Sequence, residues 1–87
     1  MTHQEQQKIY EINSEINKNN KEIKKIKQQL SKLKKELENE EGLGYSEVIN
    51  HKDYKKLKIE MVKIERKNSS LNLSMINFKE ELRKKYQ

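Results

Sequence analysis

Few side chains in this sequence have the type and spacing that catalysis or metal binding requires. Neither His3 nor His51 has a second histidine or a carboxylate four residues later, as a metal site on a helix would need. There is no cysteine, which excludes disulfides and thiol ligands, and no serine has a recognisable histidine base. Gly42 and Gly44 follow no predicted strand, so they form no phosphate-binding loop. We therefore expect no enzyme active site, no cofactor and no metal.

The chemistry that the sequence does predict is a buried hydrogen bond between two asparagines. In each half of the chain, apolar residues recur in alternating steps of three and four, which is the heptad pattern of a coiled coil. Each half contains one polar interruption, Asn19 in the first and Asn68 in the second. We call these two repeats the seam; they comprise Ile9, Ile12, Ile16, Asn19, Ile23, Ile26, Leu30, Leu33 and Leu37, and Tyr54, Leu57, Met61, Ile64, Asn68, Leu71, Met75, Phe78 and Leu82.

The two halves of the seam match in one antiparallel register. The numbers of facing residues then add up to a constant, and Asn19 falls opposite Asn68. Any shifted register would bury each amide against hydrocarbon, at about 1–3 kcal/mol each. We therefore interpret the two asparagines as a register layer. The alternative is that asparagine is frequent here and occupies both positions by chance.

The only two glycines lie near the middle of the chain, between the two repeats. Gly42 predicts the end of the first helix, and Ser46 the start of the second. We expect one all-α domain over residues 1–87: an antiparallel two-helix coiled-coil hairpin with helices over about 6–41 and 46–85, a turn over 42–45, and a frayed start. The alternative is a short helical turn over 46–50 and a corner, with His51 or Asn50 capping the main helix.

The tip of this hairpin carries Leu43 and Tyr45. Exposed apolar residues in a loop can form a recognition point. We favour the simpler interpretation, in which Leu43 makes the hydrophobic contact of a helix cap and Tyr45 packs against it.

A second apolar line runs along the second helix, away from the seam. It predicts an interface between two copies, because a two-fold axis near its centre pairs Ile59 with the partner's Ile76 and Val62 with the partner's Leu73. We expect a homodimer that forms a four-helix bundle; the alternative is that a different protein covers the line. We call it the apolar stripe: Ile59, Val62, Leu73 and Ile76, with Arg66 and Ser69 at its centre.

The net charge of +6 raises the possibility of nucleic-acid binding. Against it, 18 of the 20 basic residues are lysine, which lacks the bidentate geometry of arginine, and the lysines surround the rod. A lysine-rich composition also arises from an AT-rich genome. The candidate contacts are Lys21, Lys24, Lys25, Lys32, Lys35, Lys55, Lys56 and Lys63.

These observations favour a non-enzymatic protein-interaction module: a small adaptor, inhibitor, regulator or assembly protein with a protein partner, of a kind we expect in a phage or mobile element. The first alternative is a nucleic-acid-binding dimer that uses the lysine-rich middle of the rod, an architecture also found in small helical hairpins that bind RNA. The second is an oligomer that sequesters a ligand between protomers. The polar N-terminus predicts no signal peptide, and no apolar run approaches the length of a membrane span, so we expect a cytoplasmic protein without membrane contact.

Overall fold

Three helices account for nearly the whole chain in the computed structural model, which describes residues 1–87. They are α1 (His3–Asn39), α2 (Tyr45–Ile49) and α3 (Lys52–Lys85). Helix covers 87% of the residues and there is no strand. The molecule is an extended rod of 62 × 18 × 15 Å. The prediction of an all-α protein is thus confirmed.

The start of α1 is capped rather than frayed. The Oγ1 of Thr2 accepts a hydrogen bond from the Glu5 amide at 3.2 Å, and the Thr2 amide donates to Glu5 Oε1 at 2.8 Å. This reciprocal pair is a capping box, and it satisfies two amides that a helix start otherwise leaves unpaired. The helix α1 therefore begins about three residues before the expected position near residue 6, because the Thr2–Glu5 capping box stabilises an additional turn.

The end of α1 depends on a glycine. The helix ends at Asn39, slightly before the expected position, and Gly42 adopts a φ of 66°. Side chains with a Cβ atom rarely adopt this left-handed conformation. The Leu43 amide then donates to the Leu37 carbonyl at 3.1 Å and folds the chain back towards α1. Gly42 thus stands where the sequence predicted a stop.

The segment after the turn is broken at Asn50 and His51, so the prediction of one continuous helix over residues 46–85 is wrong there. The observed break matches the alternative of a short helical turn followed by a corner. The Asn50 side chain donates to the Ser46 carbonyl at 2.8 Å, and His51 Nδ1 accepts from the Asp53 amide at 3.2 Å. Because these side chains satisfy backbone groups at both helix ends, the chain can leave the helix at little cost. The corner accompanies the complete burial of Val48.

The buried core is a narrow line between α1 and α3. Its densest part is the cluster of Ile26, Leu30 and Met61, against which partly buried seam residues pack. Only nine of the 87 residues are buried, and apart from Val48 all of them belong to the seam. Each layer of the rod therefore contacts mainly its neighbours, and most side chains of both long helices lie on the surface. The remaining buried residues are Asn19, Leu37, Asn68, Met75 and Leu82.

Candidate functional site

The apolar stripe is the largest set of exposed aliphatic side chains on the rod. Ile59, Val62, Leu73 and Ile76 are 57%, 39%, 58% and 64% exposed. With Arg66 and Ser69 between them, they recur along α3 in alternating steps of three and four, so they form a second heptad line on a helix whose first heptad line already contacts α1. Single exposed aliphatic residues are ordinary, but a row on one helix face favours a binding surface.

The centre of the stripe is polar. Ser69 Oγ donates to the Glu65 carbonyl of its own helix at 3.1 Å, so the hydroxyl is hydrogen-bonded without a binding partner. Arg66 forms no ion pair and lines a shallow groove beside Lys63 and Lys67. Any partner that covers the whole stripe must therefore contact a basic and polar middle between two apolar ends.

One apolar end of the stripe continues into the tip of the rod. Ile59 shares a shallow depression with Tyr45, Ile49 and Tyr54. Leu43 is half-buried, whereas Tyr45 is 69% exposed. Tyr45, which we expected to pack against Leu43, is the first residue of α2 and is largely exposed. The break before α3 determines this arrangement, and no heptad pattern could have revealed it.

The two asparagines of the register layer lie together. Asn19 Nδ2 donates to Asn68 Oδ1 at 2.8 Å, and Asn68 Nδ2 donates to Asn20 Oδ1 at 2.8 Å. Asn19 and Asn68 are only 6% and 7% exposed, and no buried side-chain nitrogen or oxygen atom lacks a partner. Buried amides are tolerated when they are hydrogen-bonded in this way. Asn20, which completes the network from the edge of the seam, was not expected from the sequence.

A polar junction joins the start of α1 to the end of α3. Glu5 accepts a hydrogen bond from the Tyr86 hydroxyl at 2.6 Å and from Lys85 Nζ at 3.2 Å. The Thr2 amide, the Tyr86 hydroxyl and the Lys85 ammonium all stabilise the charged carboxylate, and they lower the pKa of Glu5 to about 2. The same contacts raise the pKa values of Lys85 and Tyr86. The capping motif Thr2-x-x-Glu5 was the sequence signal for this carboxylate.

The candidate nucleic-acid contacts are divided between the two long helices. Five of these lysines lie on α1 and three on α3, all are exposed, and none forms an ion pair. Lys21, Lys24 and Lys25 line one shallow groove on α1, while Lys55, Lys56 and Lys63 line another on α3, next to Ile59. The structure therefore places three of the lysines beside the apolar stripe and the other five on a separate surface.

The histidines occupy structural positions at helix starts. His51 caps α3 through Nδ1, and His3 is the first residue of α1. No three side chains among His, Cys, Asp and Glu come close enough together to hold a metal ion. None of the three helices combines the length and the apolar character needed to cross a membrane. Comparisons of the chain with protein-family models, curated proteins and solved structures gave no match.

Proposed function

We propose that this chain is a non-enzymatic protein-interaction module, and that the first partner of its apolar stripe is a second copy of the chain. In this proposal α1 and α3 form an antiparallel coiled-coil hairpin, and two hairpins pack through α3 into a four-helix bundle with α1 on the outside. Such a module would act as an adaptor, inhibitor or assembly protein. The observation that carries the proposal is the exposed second heptad line on α3.

The hairpin part of the proposal is supported by contacts along the whole rod. Glu5 bonds to residues at the end of α3, Asn19 bonds to Asn68 in the middle, and Leu30 packs with Met61 nearer the turn. Low numbers in α1 thus meet high numbers in α3, as an antiparallel pair requires. The hydrogen-bonded amides in the middle would oppose any shift of one helix along the other.

The dimer part is supported by the symmetry of the apolar stripe. An isologous interface requires that the same surface be complementary to itself about a two-fold axis. With the axis between Arg66 and Ser69, Ile59 lies opposite the partner's Ile76 and Val62 opposite the partner's Leu73. All these pairs have residue numbers with the same sum. Equal sums follow from the heptad spacing itself; the support comes from the residue types, because two apolar residues lie on each side of a polar centre and therefore meet apolar residues of a second copy.

The charges beyond the stripe obey the same symmetry. Four residues further out than Ile59 and Ile76, Lys55 lies opposite the partner's Glu80, which gives two favourable pairs in each dimer. Glu80 is exposed and forms an ion pair with Arg83 of its own helix. A further step outwards, Lys52 would face the partner's Arg83, and this repulsion would end the interface there. Opposite charges next to the apolar ends therefore favour a second copy as the occupant.

The expected affinity is moderate. Full burial of an aliphatic side chain contributes about 1.5–3 kcal/mol, so eight of them, half buried, contribute roughly 8 kcal/mol. Part of this gain is offset by the lost freedom of two molecules and by the polar centre. We therefore expect a dimer that forms at micromolar concentrations and dissociates on dilution.

Sedimentation equilibrium tests the proposal. The wild type should approach twice the 10.6 kDa mass of one chain at high micromolar concentrations, whereas Val62→Lys/Leu73→Lys should remain a helical monomer. The matched control is Tyr10→Lys, which removes an exposed apolar residue on α1 and should leave the dimer intact. A monomeric wild type at these concentrations would overturn the dimer, and would mean that a different protein occupies the stripe.

The charge pairs provide a sharper test of the two-fold register. Lys55→Glu and Glu80→Lys should each weaken the dimer several-fold, because each places like charges opposite one another in both symmetry-related pairs. The double exchange restores opposite charges, so it should recover most of the wild-type affinity. If the double variant is as weak as the two single changes combined, the proposed register is incorrect.

A further inference from the structure

The face of α1 that lies away from the seam carries a continuous row of lysines. Their spacing alternates between three and four residues, so they lie one above another on one side of the helix. Glutamine is the only other residue in the row, and Lys24 lies directly beside it. We call this row the lysine ladder: Lys18, Lys21, Lys25, Gln28, Lys32 and Lys35.

The ladder is a charged surface without neutralising partners. All its lysines are exposed, and the three ion pairs of the molecule involve other basic residues, namely Lys34, Arg83 and Lys85. Glu22 is the only acid between residues 18 and 35; it lies at the flank of the row and forms no ion pair. Taken as a whole the rod has lysines on several sides, but on α1 they concentrate on this one face.

We propose that the lysine ladder binds the phosphate backbone of a nucleic-acid duplex without reading its base sequence. The ladder is about 25 Å long at 1.5 Å per residue, and a DNA duplex presents one phosphate charge per 1.7 Å of axis, roughly. The phosphate charges of a duplex are therefore more closely spaced along its axis than the ladder lysines are along α1, so several lysines can contact phosphates at once. Ammonium groups act as point charges towards phosphate, whereas base recognition relies mainly on side chains that bond to base edges.

The composition of this face disfavours the other polyanions. Single-stranded nucleic acids are usually bound by stacking their bases on several aromatic side chains; the ladder contains none, and Tyr10, which shares a shallow groove with Lys18 and Lys21, is a single ring at one end. Helices that bind at a membrane surface insert large apolar residues between the lipids, and the ladder has no apolar residue either. A partner with exposed, regularly spaced charges and no need of apolar contact fits the face best.

The inference does not rest on the proposed dimer. The ladder lies on α1 and the apolar stripe on α3, so the ladder stays accessible in a monomer and in a bundle with α1 on the outside. The two proposals can therefore be tested separately. A change in the stripe should alter the molecular mass in solution, and a change in the ladder should alter the affinity for nucleic acid.

Fluorescence anisotropy with a labelled 20-base-pair DNA duplex tests the inference, at salt concentrations between 50 and 200 mM. With four to six phosphate contacts, the logarithm of the binding constant should fall against the logarithm of the salt concentration with a slope of about −4 to −5. A duplex of scrambled sequence should bind within about threefold of the first, because phosphate contacts carry no sequence information. An RNA duplex shows whether the ladder distinguishes the two nucleic acids.

The decisive variant is Lys21→Gln/Lys25→Gln/Lys32→Gln, which should weaken binding at least tenfold and reduce the slope by about 2–3, since each lost phosphate contact contributes about 0.9. The matched control, Lys27→Gln/Lys34→Gln/Lys67→Gln, removes the same charge from outside the ladder and should retain affinity within about threefold. Circular dichroism of both variants checks that the helices remain folded.

Three results would overturn the inference. The first is no duplex binding by the wild type at 50 mM salt. The second is equal weakening by the ladder variant and its control, which would show that net charge alone attracts the duplex. The third is displacement of the duplex by polyglutamate, or by vesicles rich in anionic lipid, at matched charge concentration; either would assign the ladder to an acidic protein or to a membrane surface instead.

Discussion

The hydrogen bond between Asn19 and Asn68 gives the most direct test of how the two long helices are held in register. We consider alanine at each position and at both. Asn19→Ala removes the donor to Asn68 Oδ1, and Asn68→Ala removes the acceptor for Asn19 Nδ2. Because both residues are at least 93% buried, water cannot readily replace the missing partner. Each single change therefore leaves one buried polar group unsatisfied.

The magnitudes follow from that geometry. A buried amide without its partner costs about 1–3 kcal/mol, so each single variant should lose that much free energy of unfolding. Asn68→Ala should lose more than Asn19→Ala, because it also breaks the hydrogen bond to Asn20. In the double variant no orphaned group remains in the pair, so the total loss should be smaller than the sum by about 1–2 kcal/mol.

Urea unfolding followed by circular dichroism at 222 nm measures all four species at one protein concentration. The Val62→Lys/Leu73→Lys background keeps dimerisation out of the comparison. Asn17→Ala is the matched control; it is an exposed asparagine on α1 that shares no hydrogen bond with Asn68, and its effect should add to that of Asn68→Ala within about 0.5 kcal/mol. A coupling between Asn19 and Asn68 below about 0.5 kcal/mol would show that the layer does not act as a unit.

Two further predictions concern the turn and the polar junction. Gly42→Ala should lower the free energy of unfolding by about 1 kcal/mol, because alanine disfavours a φ of 66° although no atom lies within 4 Å of the new Cβ. Gly44→Ala should change the free energy of unfolding by less than about 0.5 kcal/mol, since the φ of Gly44 is −77° and a small loss at the helix cap offsets the entropic gain. Urea midpoints compare the two. Because the folded pKa of Glu5 is about 2 and its ordinary value 4.5, its contribution is present above pH 4.5 and disappears as the pH falls towards 2. Thermal unfolding across this range should show a smaller acid-induced loss for Glu5→Gln than for the wild type, whereas Glu81→Gln, which removes a glutamate without an ion pair, should lose stability as the wild type does.

Much of the fold could be predicted because it depends on periodic patterns. The heptad spacing identifies the seam, and the two asparagines indicate which layers meet. Glycine is the usual residue at a left-handed position after a helix, so Gly42 indicates the end of α1. These features are local or strictly repetitive, and a single sequence contains them in full.

The features of the fold that were not predicted depend on single side chains that do not belong to the heptad repeat. Thr2 and Glu5 match a capping box, but most of the residues around them are also polar, so this motif is difficult to recognise from the sequence. The break at His51 was predicted only as an alternative, because it depends on a histidine ring nitrogen acting as the cap. The complete burial of Val48 accompanies the break, so it could not be predicted without knowing where the helix breaks. All residues of the apolar stripe and most lysines of the ladder could be predicted from the sequence, but Lys18 was not among the candidate contacts, and the separation of the lysines into two groups required the helix faces.

The two long helices of this rod have different outer faces, and this difference bears on both proposals. Each helix uses one face for the seam; the opposite face of α3 is apolar, whereas that of α1 is basic. If the seam alone had determined the sequence, both outer faces would be mixed and polar, since neither contributes to the contact. An apolar face is suited to a surface that excludes water, and a row of unpaired lysines is suited to a polyanion, so the two proposals assign the two faces to different partners. A dimer through α3 would carry its two lysine ladders on opposite outer sides, so one stiff duplex could not contact both at once and each ladder would bind a separate duplex. The affinity for a duplex, per chain, should therefore be the same for the wild type and for a monomeric variant, whatever the length of the duplex.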